Sequence, residues 1–366
     1  MYWKHGRDVA LTRSYLYLSN AVINLSFKPY GTGVSVNEDN NWLSVEPFTT
    51  NIFAQSVIIG SSCVMKGDNG ATLVFRKGRN TYGLHANGHD YTMRVNSRNT
   101  LGTSAAPAVF RFESPISISG TGKASFNVDA RNIKVVFASQ GNYMGKGFLF
   151  ANGAMFETEV DDVFTTNAWL SCANSTTVDD TLDLKATHQQ LGWFVPGNYT
   201  PTIKGEYPSA LEIRVGATSS ELTTKRFNGT KFKGWVGLTA NTIDRNNTCV
   251  LNNVQSESYG DVTVTRGIMS FSADSSWLNG TNVTVGAEGT LKIASANTFN
   301  KDVAVLHLAE GGTIDIPSGV TQVFAKGWLG NTPLKPGSRH ATGSVSYVTG
   351  GGAFRIAGGG MTILFR

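Results

Sequence analysis

Acidic side chains cluster between residues 157 and 183 and are the residues of this sequence best suited to chemistry. The cluster consists of three acids and two doublets: Glu157, Glu159, Asp183, Asp161-Asp162 and Asp179-Asp180. Paired carboxylates can cleave glycosidic bonds as acid and base, or bind calcium. Neighbouring residues of a strand face opposite sides, so a doublet cannot direct both carboxylates at one bond. A catalytic pair would have to come from adjacent strands, and exposed acids are the simpler interpretation.

A metal-like spacing occurs at His85 and His89, which are followed by Asp90. On a helix, a spacing of four residues would place both imidazoles on one face. Asn87-Gly88 lies between the two histidines and favours a turn, so a solvated turn is the interpretation. No phosphate-binding loop or nucleophile motif is present in the sequence. The sequence therefore predicts no catalytic, cofactor-binding or metal site and no cofactor.

Tryptophan side chains could stack on sugar rings where they are exposed. The four considered for this role are Trp193, Trp235, Trp277 and Trp328, and all but Trp277 directly follow a glycine. A recurring Gly-Trp pair is typical of a structural repeat. Packing in the core or at a strand edge is the more common role for such residues.

The three cysteines, Cys63, Cys172 and Cys249, have neither the spacing of a metal site nor that of a disulfide framework. A bridge between Cys172 and Cys249 is one alternative. An isolated buried thiol is the other, and the more ordinary one.

Short apolar alternations organise residues 260–356, and they indicate the elements that would position these side chains. Most of the apolar pairs are two residues apart, which puts both side chains on one face of a strand. Gly, Asn, Ser and Asp separate the pairs and favour turns. The pairs include Val262 and Val264, Val283 and Val285, Leu291 and Ile293, Leu306 and Leu308, Ile314 and Ile316, and Phe354 and Ile356.

The composition favours β structure and excludes some partners. Only 16% of the 366 residues are charged, and glycine (41 residues) greatly outnumbers proline (10 residues). Lys and Arg are scattered and give a net charge of only +5, which argues against nucleic-acid binding. No apolar run reaches the roughly 20 residues of a membrane-spanning helix. The strand spacing fits a β-sandwich or a β-solenoid, and turns of unequal length favour the solenoid.

Three pieces of residues 260–356 share a form in which glycines join two apolar strands. They read NVTVGAEGTLKI at 282–293, LHLAEGGTIDI at 306–316, and QVFAKGWL at 322–329 continuing to GGGAF at 350–354. In the first piece the glycines are interpreted as a turn between two strands. These pieces resemble the autotransporter-associated β-strand repeat, a family of secreted and surface proteins of bacteria. The resemblance implies a right-handed parallel β-helix acting as a passenger-type stalk, and it carries over no catalytic residue.

Weaker copies of the pattern occur upstream, at residues 147–194. There TLDLKATHQQ at 181–190 aligns without gaps with TIDIPSGVTQ at 313–322. Recurrence in the same order indicates a repeat array, in which each repeat packs on its neighbour. We therefore predict an all-β chain, a single continuous β-solenoid over residues 1–366. The N-terminus lacks the apolar stretch of a secretory signal, so we expect a fragment of a longer surface protein.

The predicted function is that of a non-enzymatic extracellular or cell-surface scaffold, associated with the bacterial outer membrane and possessing adhesive surfaces. Surface glycans or host-cell proteins are the expected partners, with no nucleic acid and no membrane span. Two alternatives remain open. One is a polysaccharide lyase or glycosidase with carboxylates on one sheet face, and the other is a carbohydrate-binding module with exposed aromatic rings.

Overall fold

A computed structural model describes residues 224–358 without interruption. Before them it describes 16–18, 22–23, 43–45, 48–53, 57–58, 63–67, 69–76, 84–85, 92–97, 106–118, 125–129, 132–144, 147–151, 153–164, 169–173, 180–195 and 200–214. These residues form strands and turns, with no helix among them. The chain divides into two compact units, Met1–Thr202 and Ile203–Arg366.

Short strands make up the first unit. In chain order they are β1 (Leu16–Leu18), β2 (Val22–Ile23), β3 (Leu43–Val45), β4 (Thr50–Phe53), β5 (Val57–Ile58), β6 (Cys63–Gly67), β7 (Thr72–Phe75), β8 (Leu84–His85), β9 (Thr92–Ser97), β10 (Ala108–Phe112), β11 (Ile116–Ile118), β12 (Ser125–Asp129), β13 (Ile133–Phe137), β14 (Tyr143–Met144), β15 (Gly147–Ala151), β16 (Met155–Thr158), β17 (Trp169–Ala173), β18 (Thr181–Asp183), β19 (His188–Leu191) and β20 (Trp193–Val195).

The strands of the first unit stack in parallel, each one pairing with strands from the turns before and after it. One sheet has the order β1-β3-β6-β9-β12-β15-β17-β20, and a second runs β2-β4-β7-β10-β13-β16-β18. A third has the order β14-β11-β8-β5. Because neighbouring strands of each sheet come from successive turns of the chain, the unit is a solenoid, and we call each turn a rung.

Aromatic rings fill the inside of the second sheet. Phe75, Phe112 and Phe137 lie at successive positions in register, and all three are fully buried. The ring centroids are 4.7 Å apart between Phe75 and Phe112 and 6.0 Å apart between Phe112 and Phe137. Burying each phenyl ring stabilises the fold by about 2–3 kcal/mol, and stacking one rung on the next extends that core along the chain.

The second unit contains longer strands, and its boundary falls at the start of β21. In chain order they are β21 (Thr202–Gly205), β22 (Ala210–Ile213), β23 (Thr224–Asn228), β24 (Lys231–Gly234), β25 (Gly237–Asn241), β26 (Thr248–Asn252), β27 (Gln255–Ser256), β28 (Val262–Phe271), β29 (Ser276–Trp277), β30 (Asn282–Ile293), β31 (Val305–Leu308), β32 (Thr313–Asp315), β33 (Thr321–Phe324), β34 (Lys326–Leu329), β35 (Thr332–Pro333), β36 (Arg339–Ala341), β37 (Val348–Thr349) and β38 (Ala353–Ile356).

The parallel path β22-β25-β28-β30-β31-β34 forms the main sheet of this unit. Along it, Leu238, Val262, Val283 and Leu306 follow one another in register and point into the core. The burial of β30 alternates strictly over its last five residues, as the period-two pattern predicts. Two pairings near the C-terminal end are antiparallel, β34 with β35 and β36 with β38.

One predicted turn is wrong. Residues 282–293 form the single strand β30, where the sequence had suggested two strands joined by a glycine turn. The glycines produce a shift of register instead: Val264 pairs with Val285, whereas Arg266 pairs with Glu288. A Cβ on Gly286 or Gly289 would press against the backbone of the neighbouring strand. Glycine is therefore used here for close approach of two strands, a role that sequence patterns do not separate from a turn.

Buried amide side chains satisfy the backbone where rungs change direction. Asn142 accepts a hydrogen bond from the N–H of Ile116 (2.8 Å) and donates to the carbonyl of Val163 (2.9 Å). In the second unit, Gln322 accepts from the N–H of Phe299 (3.2 Å) and donates to the same residue's carbonyl (3.0 Å). Buried corner groups would otherwise lack partners, so these amides are structural.

The predicted all-β solenoid is confirmed, and the β-sandwich alternative is wrong because sandwich sheets are built from antiparallel strands. The continuity of one solenoid over residues 1–366 stays a prediction. The sequence also predicts one last apolar strand over residues 358–366, of which 359–366 lie outside the described residues.

Candidate functional site

Three of the acids, Glu157, Glu159 and Asp183, lie on the outer face of the second sheet or at its edge, in the first unit. Arg111, Val136, Glu157 and Asp183 occupy one row across β10, β13, β16 and β18. Glu157 and Asp183 are therefore direct neighbours on adjacent strands. This is the arrangement that the sequence required of a catalytic pair.

Both carboxylates of this pair bind lysines. Lys134 Nζ lies 2.5 Å from Glu157 Oε2, and Lys185 Nζ lies 3.6 Å from the same oxygen. Lys185 Nζ is also 3.4 Å from Asp183 Oδ2. The Glu157 side chain is only 8% exposed and that of Asp183 6%, so the ammonium groups compensate two buried charges. The arrangement serves packing of the outer face and leaves little room for a substrate.

Glu159 lies at the same face and is held by an arginine. Arg111 donates two hydrogen bonds to its carboxylate, at 2.6 and 2.7 Å, in a bidentate pair. These hydrogen bonds lower the pKa of Glu159. Arg111 also contacts Glu113 (3.2 Å), which in turn binds Arg76 (2.9 Å). Basic and acidic side chains therefore alternate across the ends of neighbouring strands.

The doublets have structural roles as far as they are described. Asp161 accepts the backbone N–H of His188 (2.8 Å), and Asp162 lies in a turn with a positive φ of 50°. Asp180 is buried and accepts the N–H of Gly153 (2.8 Å). Asp179 lies outside the described residues. Asp161 and Asp180 thus hold the backbone of turns between rungs through these hydrogen bonds.

Of the two spaced histidines, His85 is the last residue of β8. His89 and Asp90 lie outside the described residues. Within the described part of the chain, no group of three or more His, Cys, Asp and Glu side chains is placed to hold a metal ion. The described residues also include no helix long and apolar enough to cross a membrane.

Cys249 is a free thiol on β26, so it forms no bridge to Cys172. Its side chain is completely buried, and burial raises its pKa to about 12. The thiol therefore stays protonated at neutral pH and behaves as a small apolar side chain.

The tryptophans differ in environment. Trp277 is a core residue whose Nε1–H donates to the carbonyl of Gly260 (2.8 Å). Trp328 is partly exposed and stacks on His307 with 5.1 Å between ring centroids. Trp235 is also partly exposed, and Tyr207 contacts it edge-on at 4.8 Å. The side chain of Trp193 lies outside the described residues.

Exposed aromatic rings line one corner of the second unit. Leu211, Leu238 and Val262 are in register on consecutive rungs. Trp235 and Tyr259 each lie three residues before one of these positions, at equivalent corners, and Tyr207 lies just ahead of the corner on the rung before. We call Tyr207, Trp235 and Tyr259 the aromatic corner. Tyr207 is 71% exposed and Tyr259 is 56% exposed, which is unusual for rings of this size.

The backbone beneath the aromatic corner is rigidly held. The N–H of Trp235 donates to the carbonyl of Gly205 and that of Tyr259 to the carbonyl of Gly234, both at 2.9 Å. The fully buried hydroxyl of Ser258 accepts the N–H of Val236 at 2.7 Å. The rings therefore project from a pre-ordered surface, which reduces the entropy lost when a partner binds.

An ion pair lies beside the aromatic corner. Lys233 and Glu257 come two residues before Trp235 and Tyr259, and the Nζ–Oε2 distance is 3.6 Å. Both side chains are exposed, so they offer donors and acceptors next to apolar rings. Sugar-binding surfaces combine these two features, since pyranose rings have apolar faces and a rim of hydroxyl groups.

Sequence reasoning missed a hydrogen-bonded chain near the C-terminal end of the second unit. The Ser338 hydroxyl lies 2.8 Å from His340 Nε2, and His340 Nδ1 lies 2.8 Å from the Tyr347 hydroxyl. Burial lowers the pKa of His340 and raises that of Tyr347. No pattern marks these residues in the sequence, because Ser338 and His340 face Tyr347 only after the chain between them turns.

A surface cavity of about 200 Å³ adjoins this hydrogen-bonded chain. Its lining residues are Glu310, Gly311, Gly312, Thr313, Leu329, Ser346 and Tyr347. Ligand pockets usually measure about 300–1,000 Å³, so this one would hold only a small group. The ring of His340 also stacks on that of Phe354, with 4.7 Å between their centroids. This contact indicates that the hydrogen-bonded side chains hold β36 against β38.

No family model, no characterised protein and no solved structure matches this chain.

Proposed function

We propose that this chain is a non-enzymatic β-solenoid scaffold of a bacterial secreted or cell-surface protein, similar to autotransporter passengers, that adheres to surface glycans through its aromatic corner. The observation that carries the proposal is the aromatic corner itself, three rings on consecutive rungs above a fixed backbone. Aromatic side chains supply much of the energy at binding surfaces. Single exposed apolar residues are common, whereas an aligned set on a rigid edge is suited to adhesion.

The acids of the first unit support a scaffold over an enzyme. Glu157, Glu159 and Asp183 are bound by Lys134, Lys185 or Arg111 at hydrogen-bonding or ion-pair distance. Carboxylates that form such ion pairs hold neighbouring rungs together. They do not offer a free acid and a free base to a substrate.

A glycan array on the purified chain would test the proposal, with Tyr259→Ala and Trp235→Ala as variants. We expect binding to weaken at least about tenfold in each variant. Aromatic side chains that become buried against a partner contribute about 2 kcal/mol or more to the binding free energy. Ile243→Ala is the matched control, since Ile243 is an apolar residue that is 45% exposed and does not belong to the aromatic corner. Equal binding by all four proteins would contradict the role of the corner.

The register of Glu157 with Asp183 favours a second candidate, a polysaccharide lyase or glycosidase. Pooled polysaccharides incubated with the chain would release reducing ends or unsaturated uronates if it were correct. Loss of that release in the variants Glu157→Gln and Asp183→Asn would then identify these two residues as the catalytic pair. Release of product would overturn the scaffold proposal.

A further inference from the structure

The formal positive charge of the chain is carried by its last 51 residues. Residues 316–366 contain five basic residues and no Asp or Glu: Lys326, Lys335, Arg339, Arg355 and Arg366. The other 26 Lys and Arg residues equal the 26 Asp and Glu residues in number, so residues 1–315 are neutral and the whole +5 lies beyond them. The five basic residues are spread thinly over this region, so they do not form a visible basic cluster in the sequence.

Two of these residues face each other across a strand pair. Arg339 on β36 is directly opposite Arg355 on β38, and both are exposed. The N–H of Ile356 donates to the carbonyl of Ser338, so the next pair, Arg339 with Arg355, is the non-hydrogen-bonded kind. Side chains approach closest at such pairs, with Cβ atoms about 4.5–5.5 Å apart.

No carboxylate of the described residues lies within ion-pair distance of either guanidinium. Arginines elsewhere in the second unit are different: Arg245 and Arg266 both bind Glu288, at 3.1 and 3.0 Å. Like charges directly opposite each other in a sheet destabilise it. Arg339 and Arg355 thus keep an unfavourable arrangement that an external anion would relieve.

We propose that Arg339 and Arg355 form a binding site for the carboxylate groups of an acidic polysaccharide, a polyuronate. Two guanidinium groups can bind one planar carboxylate, or two consecutive ones, through charge-assisted hydrogen bonds. Phe354, the residue before Arg355, is buried in the core. Its packing fixes β38, which forms the base of the site. The site is distinct in residues from the aromatic corner.

A polymer suits this surface better than a small free anion. The two arginines are open to solvent, where salt screens a single ion pair. Lys326 and Lys335 are also exposed, so a chain of repeated carboxylates could contact further cations and gain from multivalency. Nucleic acids are less suitable, because tight binding to them usually neutralises many phosphates and this region has few cations. The choice of a polysaccharide rests on the proposed surface function.

Binding of the full chain to immobilised polygalacturonate would test the site, with the double variant Arg339→Gln/Arg355→Gln. We expect the wild-type chain to bind polygalacturonate, and the same polymer with methyl-esterified carboxyl groups to bind at least about tenfold more weakly. The double variant should lose a similar factor. Arg339→Lys/Arg355→Lys should retain part of the affinity, because it keeps the charge and loses the planar donor pair.

The matched control is Lys292→Gln/Lys301→Gln, which removes two positive charges from residues that have acidic neighbours, Asp315 and Asp302. The proposal is overturned if this control weakens binding as much as the arginine variant. It is also overturned if polygalacturonate does not bind, or if double-stranded DNA binds more tightly than polygalacturonate. Enzymatic product release would contradict the scaffold proposal and leave this binding result unaffected.

Discussion

Glu157 carries a buried negative charge that two lysines of neighbouring rungs balance. We expect Glu157→Ala to lower the free energy of unfolding by about 1–3 kcal/mol, because it removes the buried carboxylate that binds both ammonium groups. Urea unfolding followed by circular dichroism measures this change. Asp302→Ala is the control, since the Lys301–Asp302 pair is fully at the surface and should contribute about 0.5 kcal/mol or less. Equal effects of the two variants would refute the structural role of Glu157.

The Arg111–Glu159 pair gives the fold a dependence on acid. Hydrogen bonding to Arg111 lowers the pKa of Glu159 in the folded chain below its ordinary value of 4.5. The pair therefore stabilises the fold above pH 4.5, and this contribution is lost as the pH falls through the lowered value. Because both side chains are about one third exposed, we expect no more than about 1 kcal/mol.

Urea midpoints measured between pH 7 and pH 3 would reveal this dependence. Glu159→Gln should flatten the acid limb of the profile, and Arg111→Lys should give an intermediate slope because it keeps the charge without the bidentate geometry. Identical slopes in wild type and Glu159→Gln would show that the pair does not contribute to stability.

The sequence predicted the kinds of residue at the candidate sites better than their arrangement. The acids, Trp235 and the cysteines were all visible as types and spacings. Their partners were not, because Lys134 and Lys185 reach Glu157 from different rungs. Arg339 and Arg355 are likewise 16 positions apart in sequence and become neighbours only through an antiparallel pairing. Contacts between rungs depend on register, which loop lengths set and local patterns do not reveal.

At the scale of elements, strand prediction succeeded where apolar residues two positions apart mark a buried face. Leu291 and Ile293, for example, are two residues apart and both fully buried on β30. Prediction failed where glycine allows strands to approach, as at Gly286 and Gly289, since a period-two pattern carries no information on close packing of backbones. The solenoid also places buried polar residues such as Gln322 at corners, where a pattern of apolar pairs gives no signal.

The corner between β27 and β28 provides a test of this packing. A Cβ on Gly260 would overlap the backbone of Val236 and Gly237 on the preceding rung. We expect Gly260→Ala to reduce the free energy of unfolding by about 3 kcal/mol or more, because the backbone of either rung must move. Gly358→Ala is the control, since no atom lies within 4 Å of a Cβ at that position. A urea midpoint for Gly260→Ala equal to that of the control would contradict the stacked corner.

At the scale of the whole molecule, the solenoid separates strands, whose register is fixed, from corners, whose length is free. In the second unit Leu238, Val262, Val283 and Leu306 are in register although 24, 21 and 23 positions separate them. Each rung needs its inward side chains at the correct positions, and the chain between them varies. A stalk of this design can change its displayed corners without changing its core.

This separation predicts opposite results for two insertions. Inserting Gly-Ser-Gly-Ser between Ser318 and Gly319 lengthens an exposed corner with no atom within 4 Å of a Cβ at Gly319. It should cost about 1–2 kcal/mol, from a longer loop and the lost hydrogen bond between the N–H of Val320 and the carbonyl of Pro317. Inserting one Thr between Thr290 and Leu291 should prevent folding of the second unit. It would turn Leu291 and Ile293 outward and Lys292 inward.

Urea unfolding of both insertion variants, monitored by tryptophan fluorescence, to which the buried Trp277 contributes, would measure the difference. The four-residue variant should keep a cooperative transition near that of wild type, whereas the one-residue variant should show solvent-exposed tryptophan emission without denaturant. The longer insertion is expected to have the smaller effect on stability, so chain length alone cannot explain the outcome. If the shorter insertion were tolerated as well as the longer one, β30 could not be held by its alternating burial. The core of this unit would then have to be assigned to other contacts.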